Sequence, residues 1–213
     1  MKTDGLNEIA DSIREYLDAK HKAREQALPL TREVIRLSAN AIRAVHRGEF
    51  ERAEELIAKG RANLDETRQF LADHQDIFHA GFVHDAQKEF AEANCTLALI
   101  ADRSLPTPKD LGLMEASYMN GLAEAIGELR RHLLDSLRAG DIDHCEEALE
   151  AMGDIYDVLV TMDYPEAVTF GLRRNTDAMR GILERTRGDF TMAAVQRELE
   201  TKISDLESRL PDD

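Results

Sequence analysis

Apolar residues three and four positions apart are the feature that most restricts what this chain can fold into. In the first segment they fall at Leu6, Ile9, Ile13 and Leu17, the spacing of one helix face. No stretch alternates β-branched and polar residues around a tight hairpin turn. Aromatic residues make up only 5% of the chain and Trp is absent, which favours helices packed through small and aliphatic side chains. The predicted fold class is all-α.

Glycine and proline positions divide the chain into about seven predicted helices joined by short loops. Pro29 interrupts a helical pattern and predicts a kink or break, with Thr31 able to cap the restart. The stretch 102–109, which contains two prolines, is the clearest predicted loop. The expected architecture is a bundle of mostly antiparallel helices that forms a single domain over residues 1–213.

A glycine followed by an acidic and an apolar residue occurs at three junctions, Gly48, Gly140 and Gly188. Their unequal separations do not fit a helical repeat. Each is therefore predicted to end one helix and to place a carboxylate near the positive start of the next. The acidic tail, 207–213, is expected to fray.

The charge balance is strongly acidic, with a formal net charge of −15 at pH 7. This argues against indiscriminate binding of nucleic acid, which requires clustered cations, but it permits a basic recess inside an acidic exterior. The basic residues cluster in three places: Arg32, Arg36, Arg43, His46 and Arg47; Arg130 and Arg131; Arg173 and Arg174.

Cysteine usage and the N-terminus predict a soluble, cytoplasmic protein. Cys95 and Cys145 are far apart in the sequence, form no Cys-x-x-Cys pair and are expected to be buried in a reducing compartment. Acidic residues stand near the N-terminus where a signal peptide would need an apolar stretch, and no apolar run reaches the length of a membrane span.

Two pairs of glutamates are the strongest candidates for a functional site. Glu89 and Glu92 lie three residues apart and Glu124 and Glu128 four, so each pair shares one face of its helix. Carboxylates among small and apolar neighbours need a cationic partner, and two facing pairs would suit a hard divalent ion that hydrolyses phosphodiesters. The chain has 42 Asp and Glu residues, however, so an isolated pair at this spacing is more often a solvated surface.

Three segments resemble the translin family, which comprises translin and translin-associated factor X (TRAX). LTREVIRLSANAIRAVHRGEFERA is similar to the second-helix region of the family. KEFAEA and NGLAEAIGELRRHLLDSLRAGDID resemble the TRAX segments that carry its catalytic carboxylates. The resemblance covers most of the chain from about Leu17 onward. It implies catalytic and metal-binding roles for Glu89, Glu92, Glu124 and Glu128, with Mg²⁺, or alternatively Mn²⁺, as cofactor.

The function that this resemblance implies is that of a metal-dependent endoribonuclease of TRAX type. Such an enzyme cleaves single-stranded or short structured RNA inside a hollow homo-oligomer, which is an octamer in the family. Single-stranded DNA is a second ligand in the family, and no membrane partner is expected. The apolar surface around residues 34–45 and in the C-terminal helices is expected to exceed what one thin bundle can bury, which also predicts a homo-oligomer.

The candidate RNA contacts are basic residues at seven positions: Arg36, Arg43, His79, His84, Lys88, Arg130 and Arg131. Lys88, Arg130 and Arg131 are close in sequence to the glutamate pairs, although a solvated helix surface would explain them as well. The family resemblance implies RNA contacts for His79 and His84, and ordinary polar surface positions fit them equally.

Two other functions stay open. TRAX carries Asp where this chain has Glu124, a departure that could change the metal preference. A chain that did not cleave would be a translin-like scaffold that binds RNA or single-stranded DNA. A helical metal-storage bundle is the third reading, but its paired Glu-x-x-His motifs are absent from the sequence.

Overall fold

The computed structural model describes residues 3–208, apart from the side chain of Asp143, and confirms the all-α fold. Within that range it contains no strand. The tail that was expected to fray, 207–213, lies outside the described residues from 209 onward. Six long helices and three single turns follow one another: α1 Leu6–Val45, α2 Phe50–Phe70, α3 Gln75–Phe78, α4 Gly81–Ile100, α5 Pro108–Leu111, α6 Glu115–Ala139, α7 Asp143–Leu159, α8 Glu166–Thr169 and α9 Leu172–Glu207.

Helix α1 continues through Pro29 for 40 residues, so the predicted break at this proline is wrong. Thr31 caps no second helix; it is buried, and its hydroxyl donates a hydrogen bond of 3.0 Å to the carbonyl of Leu28. Ala27 before the proline and Val34 after it both pack into clusters shared with α2 and α4. This packing on both sides offsets the backbone hydrogen bond that proline removes.

Two of the three glycine junctions end a helix as predicted. Gly48 follows α1 with φ of 73°, and Gly140 caps α6 with φ of 80°, in the left-handed region that glycine adopts easily. The predicted helix end at Gly188 is wrong, because this residue lies inside α9, which has 36 residues. An interior glycine costs about 1 kcal/mol. Bonds from Arg130 of α6 to α9 on both sides of that glycine hold the helix there.

Helices α4 and α6 run in the same direction. His84 bonds to Ser117, and Lys88, four residues further along α4, bonds to Glu124, seven residues further along α6. The hydrogen bonds between α6 and α9 show that these two helices are also parallel. In contrast, α1 and α2 form an antiparallel hairpin, and so do α6 and α7. The short loops predicted mostly antiparallel neighbours, but the pair of helices that carries the glutamates is parallel.

The connection 101–114 makes the parallel pairing possible, because it returns the chain from the end of α4 to the start of α6. It follows α2 along its length. Arg103 in the connection pairs with Glu54 of α2, and Arg61 and Arg68 of α2 donate hydrogen bonds to backbone carbonyls further along it. The segment 102–109, expected to be a loop, is therefore attached to α2 through Arg103, and the arginines of α2 hold the residues that follow it, 110–112.

Large apolar side chains remain exposed at both ends of the described chain. Residues 34–45 are not among them: their apolar side chains are buried against α2 and α4, so the prediction of a surplus apolar surface there is wrong. At the two ends the exposed residues are Leu6, Ile9, Ile13, Tyr16 and Leu17 on α1, and Met192, Val195, Leu199, Ile203 and Leu206 on α9. Within residues 3–208, no helix has the length and apolar character that crossing a membrane requires.

Candidate metal centre

The two glutamate pairs lie next to each other where α4 packs against α6. One carboxylate oxygen from each of Glu89, Glu92 and Glu124 lies within 4.8 Å of the other two, and all three residues are partly buried. In the part of the chain that the structure describes, no other group of three His, Cys, Asp or Glu side chains is close enough to share an ion. The structure thus brings together three of the four glutamates.

Gly121 determines how closely α4 and α6 approach at this point. A Cβ atom on Gly121 would lie 2.4 Å from the carbonyl oxygen of Lys88 and 2.8 Å from the backbone nitrogen of Glu92. Both are backbone atoms of a packed helix and cannot move aside as a flexible side chain could. Because Gly121 precedes Glu124 by one turn, the absence of a side chain here brings the carboxylates of the two helices within reach of one another.

Lys88 supplies the positive charge inside the cluster. Its Nζ lies 2.7 Å from Glu124 Oε2 and 3.4 Å from Glu89 Oε1, and its side chain is 20% exposed. Burial alone would lower the pKa of Lys88, but the hydrogen bonds and charges of Glu124 and, to a smaller extent, Glu89 together outweigh burial and raise it. Lys88 was predicted to contact phosphate; here its ammonium group forms ion pairs with two of the clustered carboxylates.

Glu128 is held apart from the other three glutamates by His46. Nε2 of His46, at the end of α1, lies 2.5 Å from Oε2 of Glu128, and the His46 side chain is 4% exposed. The hydrogen bond from His46 lowers the pKa of Glu128, with the neighbouring Arg131 adding a smaller charge effect. Glu128 still lies near enough for its charge to act on Glu92. The fourth carboxylate therefore flanks the cluster, already ionised and fixed in orientation.

The pKa values of both glutamates on α4 are raised in this buried, negatively charged cluster. Burial, followed by the charges of Glu89, Glu124 and Glu128, raises the pKa of Glu92 to about 8. Burial also raises the pKa of Glu89, although Lys88 opposes the shift. A carboxyl group with the pKa of Glu92 is largely protonated at neutral pH. One ammonium group therefore does not balance the negative charge that these side chains would carry when ionised.

The donor set fits a divalent ion. Three oxygens that lie within 4.8 Å of one another are at most about 2.8 Å from a common centre, and Mg²⁺–oxygen bonds are about 2.1 Å long, so each oxygen would need to move inward by less than about 1 Å. Carboxylate oxygens are ligands that both Mg²⁺ and Mn²⁺ favour. The incompletely balanced charge around Glu92 is what such an ion would neutralise.

The two candidate histidines occupy different environments. His84 is 5% exposed, shares a hydrogen bond of 2.8 Å with Ser117 and stacks on Phe170, so it does not have the accessible ring that a direct RNA contact needs. Burial lowers the pKa of His84. His79 is exposed between α3 and α4, and its Nδ1 lies 3.3 Å from the sulfur of Met114. Only His79 of this pair is accessible.

The two arginines after the second glutamate pair also differ. Arg130 donates hydrogen bonds of 2.8 Å to Thr186 and 2.7 Å to Asp189, and so fastens α6 to α9. Arg131 is exposed and lies 3.8 Å from Glu128. The contacts of Arg130 suit a structural bridge, while Arg131 is available to a ligand beside the carboxylates.

The remaining candidates, Arg36 and Arg43, line a groove between α1 and α2. Arg36 pairs with Glu33, and Arg43 donates to the side-chain oxygen of Asn40. Among residues 3–208, neither Arg43 nor Lys59 on the opposite side pairs with a carboxylate. We call this surface the basic groove; its charged lining residues are Arg36, Arg43, Arg47, Arg52, Lys59, Glu33 and Glu49.

Sequence reasoning missed two residues that shape the centre. His46 was noted only as part of a basic cluster, and nothing in the sequence links it to Glu128, which lies 82 positions away. Gly121 gave a usable signal, since a glycine inside a helical pattern commonly marks close packing. Nothing in the sequence indicated the polar network next to the centre, in which Asn120 donates a hydrogen bond to the carbonyl of Thr169.

Known proteins share this architecture. The chain is 34% identical over 179 residues to an uncharacterized protein of Methanocaldococcus jannaschii, a match that covers 82% of this chain and 78% of that protein. The crystal structure of AfC3PO is 32% identical, with a TM-score of 0.80 over 88% of this chain and 98% of that one. AfC3PO in complex with duplex RNA gives a TM-score of 0.78 over 88% and 97%. The structure of apo-NeC3PO, 16% identical, shares the fold with a TM-score of 0.72 over 91% and 99%. No protein-family model matches the chain.

Proposed function

This chain belongs to the translin family, and on that premise we propose that it is a metal-dependent endoribonuclease. The observation that carries the proposal is the convergence of carboxylates from Glu89, Glu92 and Glu124, with Glu128 beside them. AfC3PO, at 32% identity, forms a complex with duplex RNA. RNA is therefore the substrate class that we assign, and the carboxylate cluster is the candidate site of cleavage, as in the TRAX branch.

The residues of the centre have separate tasks in this proposal. Glu89, Glu92 and Glu124 would hold Mg²⁺ or Mn²⁺, and the ion, when bound, polarises a phosphodiester and acidifies a water molecule. To bind the ion, Glu92 would have to release to solvent the proton that its raised pKa retains in the metal-free protein. Glu128, already ionised by its bond to His46, would accept hydrogen bonds from the attacking water.

The charge distribution supports RNA as the ligand. Arg131 lies beside the carboxylates, and Lys88, when an ion replaces it at Glu124, would be able to contact a phosphate oxygen. The basic groove offers Arg43 and Lys59 as further cations without carboxylate partners among the described residues, in a protein with a net charge of −15. Cations confined to a few surfaces of an acidic protein favour binding along a defined path.

We also propose that the chain acts as a homo-oligomer, an octamer by analogy with the family. The exposed apolar residues near the beginning of α1 and along the last turns of α9 support this, because they form two helix surfaces that nothing within residues 3–208 covers. Light scattering over a concentration series tests it. A particle of 24.0 kDa, the mass of one chain, at every concentration would contradict the assembly.

The nuclease proposal is tested with a labelled RNA oligonucleotide incubated with Mg²⁺, with Mn²⁺ and with EDTA. The parent protein should cleave only when a divalent ion is present. Glu124→Gln and Glu128→Gln should each slow cleavage by about 100-fold or more while RNA binding persists or tightens. Glu115→Gln, at an exposed position in the first turn of the same helix, is the matched control and should cleave like the parent.

A second candidate function is an RNA-binding scaffold without cleavage. The contacts of Lys88 favour it, since this side chain already supplies a cation to two of the carboxylates. The same assay separates the two functions. RNA binding without cleavage in any divalent ion would select the scaffold, and equal cleavage by the parent and both Gln variants would remove these glutamates from the mechanism. A single-stranded DNA of the same sequence shows whether DNA is a second ligand.

A further inference from the structure

Phe170 is an exposed aromatic residue held in an unusual backbone conformation. It follows α8 with φ of 49°, and it is one of two non-glycine residues with positive φ within residues 3–208. Its side chain is large and apolar, and the residue is 45% exposed. A bulky residue in the left-handed region is strained, and such strain persists only where the surroundings enforce it.

The position of the Phe170 ring is fixed by buried neighbours. One face of the ring stacks on His84, with the ring centroids 4.6 Å apart and the planes at 21°. His84 is itself held by its hydrogen bond to Ser117. The preceding residue is anchored as well, because Asn120 donates a hydrogen bond of 2.7 Å to the carbonyl of Thr169. The ring is thus pre-positioned, with one face covered and a large part of its surface open.

The residues that hold Phe170 in place lie one helical turn from the carboxylate cluster. The ring partner of Phe170, His84, precedes Lys88 by four residues on α4, and Asn120 precedes Glu124 by four residues on α6. Lys88 and Glu124 are bonded to each other inside the cluster. Four helical residues rise about 6 Å. A nucleic-acid strand advances about 3.4 Å per nucleotide, so this separation corresponds to about two nucleotides.

We propose that Phe170 stacks on an unpaired nucleobase of the RNA substrate, one or two nucleotides from the cleaved phosphodiester. This inference rests on the proposed function. Exposed aromatic rings bind nucleobases through their faces, and that contact requires a base that is free of a neighbouring base on one side. Phe170 would therefore favour a strand end, a bulge or a single strand at the carboxylates, while a continuous helix would leave the ring without a partner.

The test uses the absence of Trp from the sequence. In Phe170→Trp the indole is the only one in the protein, so its fluorescence reports on this position alone. EDTA is present to prevent cleavage. An unpaired RNA oligonucleotide should quench the indole fluorescence, and the titration should give the same binding curve as the anisotropy of the labelled RNA. Tyr16→Trp, at a similarly exposed ring on the distant part of α1, is the matched control and should show no such quenching.

A second variant measures the contribution of the ring to affinity. Phe170→Leu keeps an apolar cover over His84 but removes the aromatic face, and it should weaken binding of the unpaired oligonucleotide by about 10-fold. An abasic nucleotide moved along the RNA should weaken parent binding at one position and leave the Leu variant unaffected there.

Two outcomes would count against these proposals, and they are distinguishable. If RNA binds while the indole fluorescence of Phe170→Trp and the affinity of Phe170→Leu stay unchanged, Phe170 only covers His84 and the inference is wrong. If the parent binds no RNA, the proposed function itself fails.

Discussion

Replacing Gly121 by Ala tests whether the close approach of α4 and α6 builds the candidate metal centre. The new Cβ would lie 2.4 Å from the carbonyl oxygen of Lys88, where ordinary contact begins at 3.4 Å. The helices must therefore separate locally by about 1 Å, since the opposing atoms belong to the backbone. Glu124, one turn further along, would move away from Glu89 and Glu92 by a similar amount.

The expected cost follows from two opposing contributions. Overpacking of a tight contact costs about 1–3 kcal/mol, and a backbone clash belongs in the upper part of that range. Replacing an interior helical glycine by alanine returns about 1 kcal/mol. The free energy of unfolding should therefore fall by about 1–2 kcal/mol. Affinity for Mn²⁺ should fall by about 10-fold or more, because the ligands no longer converge.

Gly127→Ala is the matched control, because it lies in the same helix and a Cβ there meets nothing within 4 Å. It should gain up to about 1 kcal/mol from helix propensity alone and bind Mn²⁺ like the parent. Urea unfolding in EDTA at one fixed protein concentration gives the free energies, and calorimetry gives the metal affinities. If Gly121→Ala proves as stable as Gly127→Ala and binds Mn²⁺ equally well, the helix contact does not shape the site.

Three further outcomes are expected. In EDTA the free energy of unfolding of the parent should fall as the pH rises from 4.5, the ordinary pKa of Glu92, to about 8, its raised value, because the unfolded chain ionises this group first. Glu92→Gln should remove this pH dependence, and identical urea curves for both proteins across that range would contradict the raised pKa of Glu92. Lys88→Met should tighten Mg²⁺ binding measured by calorimetry, since the ammonium group no longer competes for Glu124, and weaker binding would show that Lys88 helps to hold the ion. Arg43→Ala should lower the slope of log affinity for RNA against log salt concentration by about 1, whereas Lys202→Ala on α9 should not; equal slopes would exclude the basic groove from the RNA path.

The sequence was sufficient for features that depend on neighbours along the chain. Glu89 with Glu92, and Glu124 with Glu128, share helix faces because the spacing alone dictates it. Gly48 and Gly140 end helices because each adopts the left-handed conformation that stops a helix. The all-helical fold follows from the same periodicity.

Features that depend on distant partners could not be inferred. From the sequence, Pro29 predicts a break in the helix; only the packing of α1 against two other helices explains why the helix continues. Lys88 reads as a phosphate ligand until Glu124 is found next to it. His84 reads as a surface residue until Ser117 and a stacked ring enclose it. In each of these cases a tertiary contact outweighs the local preference.

The path of the connection 101–114 along α2 also sets an order of events during folding. The antiparallel hairpin of α1 and α2 needs only local closure, so it can form early. The first glutamate pair, on α4, is translated before the connection, and the second pair comes after it. The two pairs are joined by this returning segment, which Arg61 and Arg68 hold against α2. A nascent chain that has emerged only as far as α5 therefore carries half of the carboxylates and has no complete site. The carboxylate cluster is complete only when synthesis has passed α6.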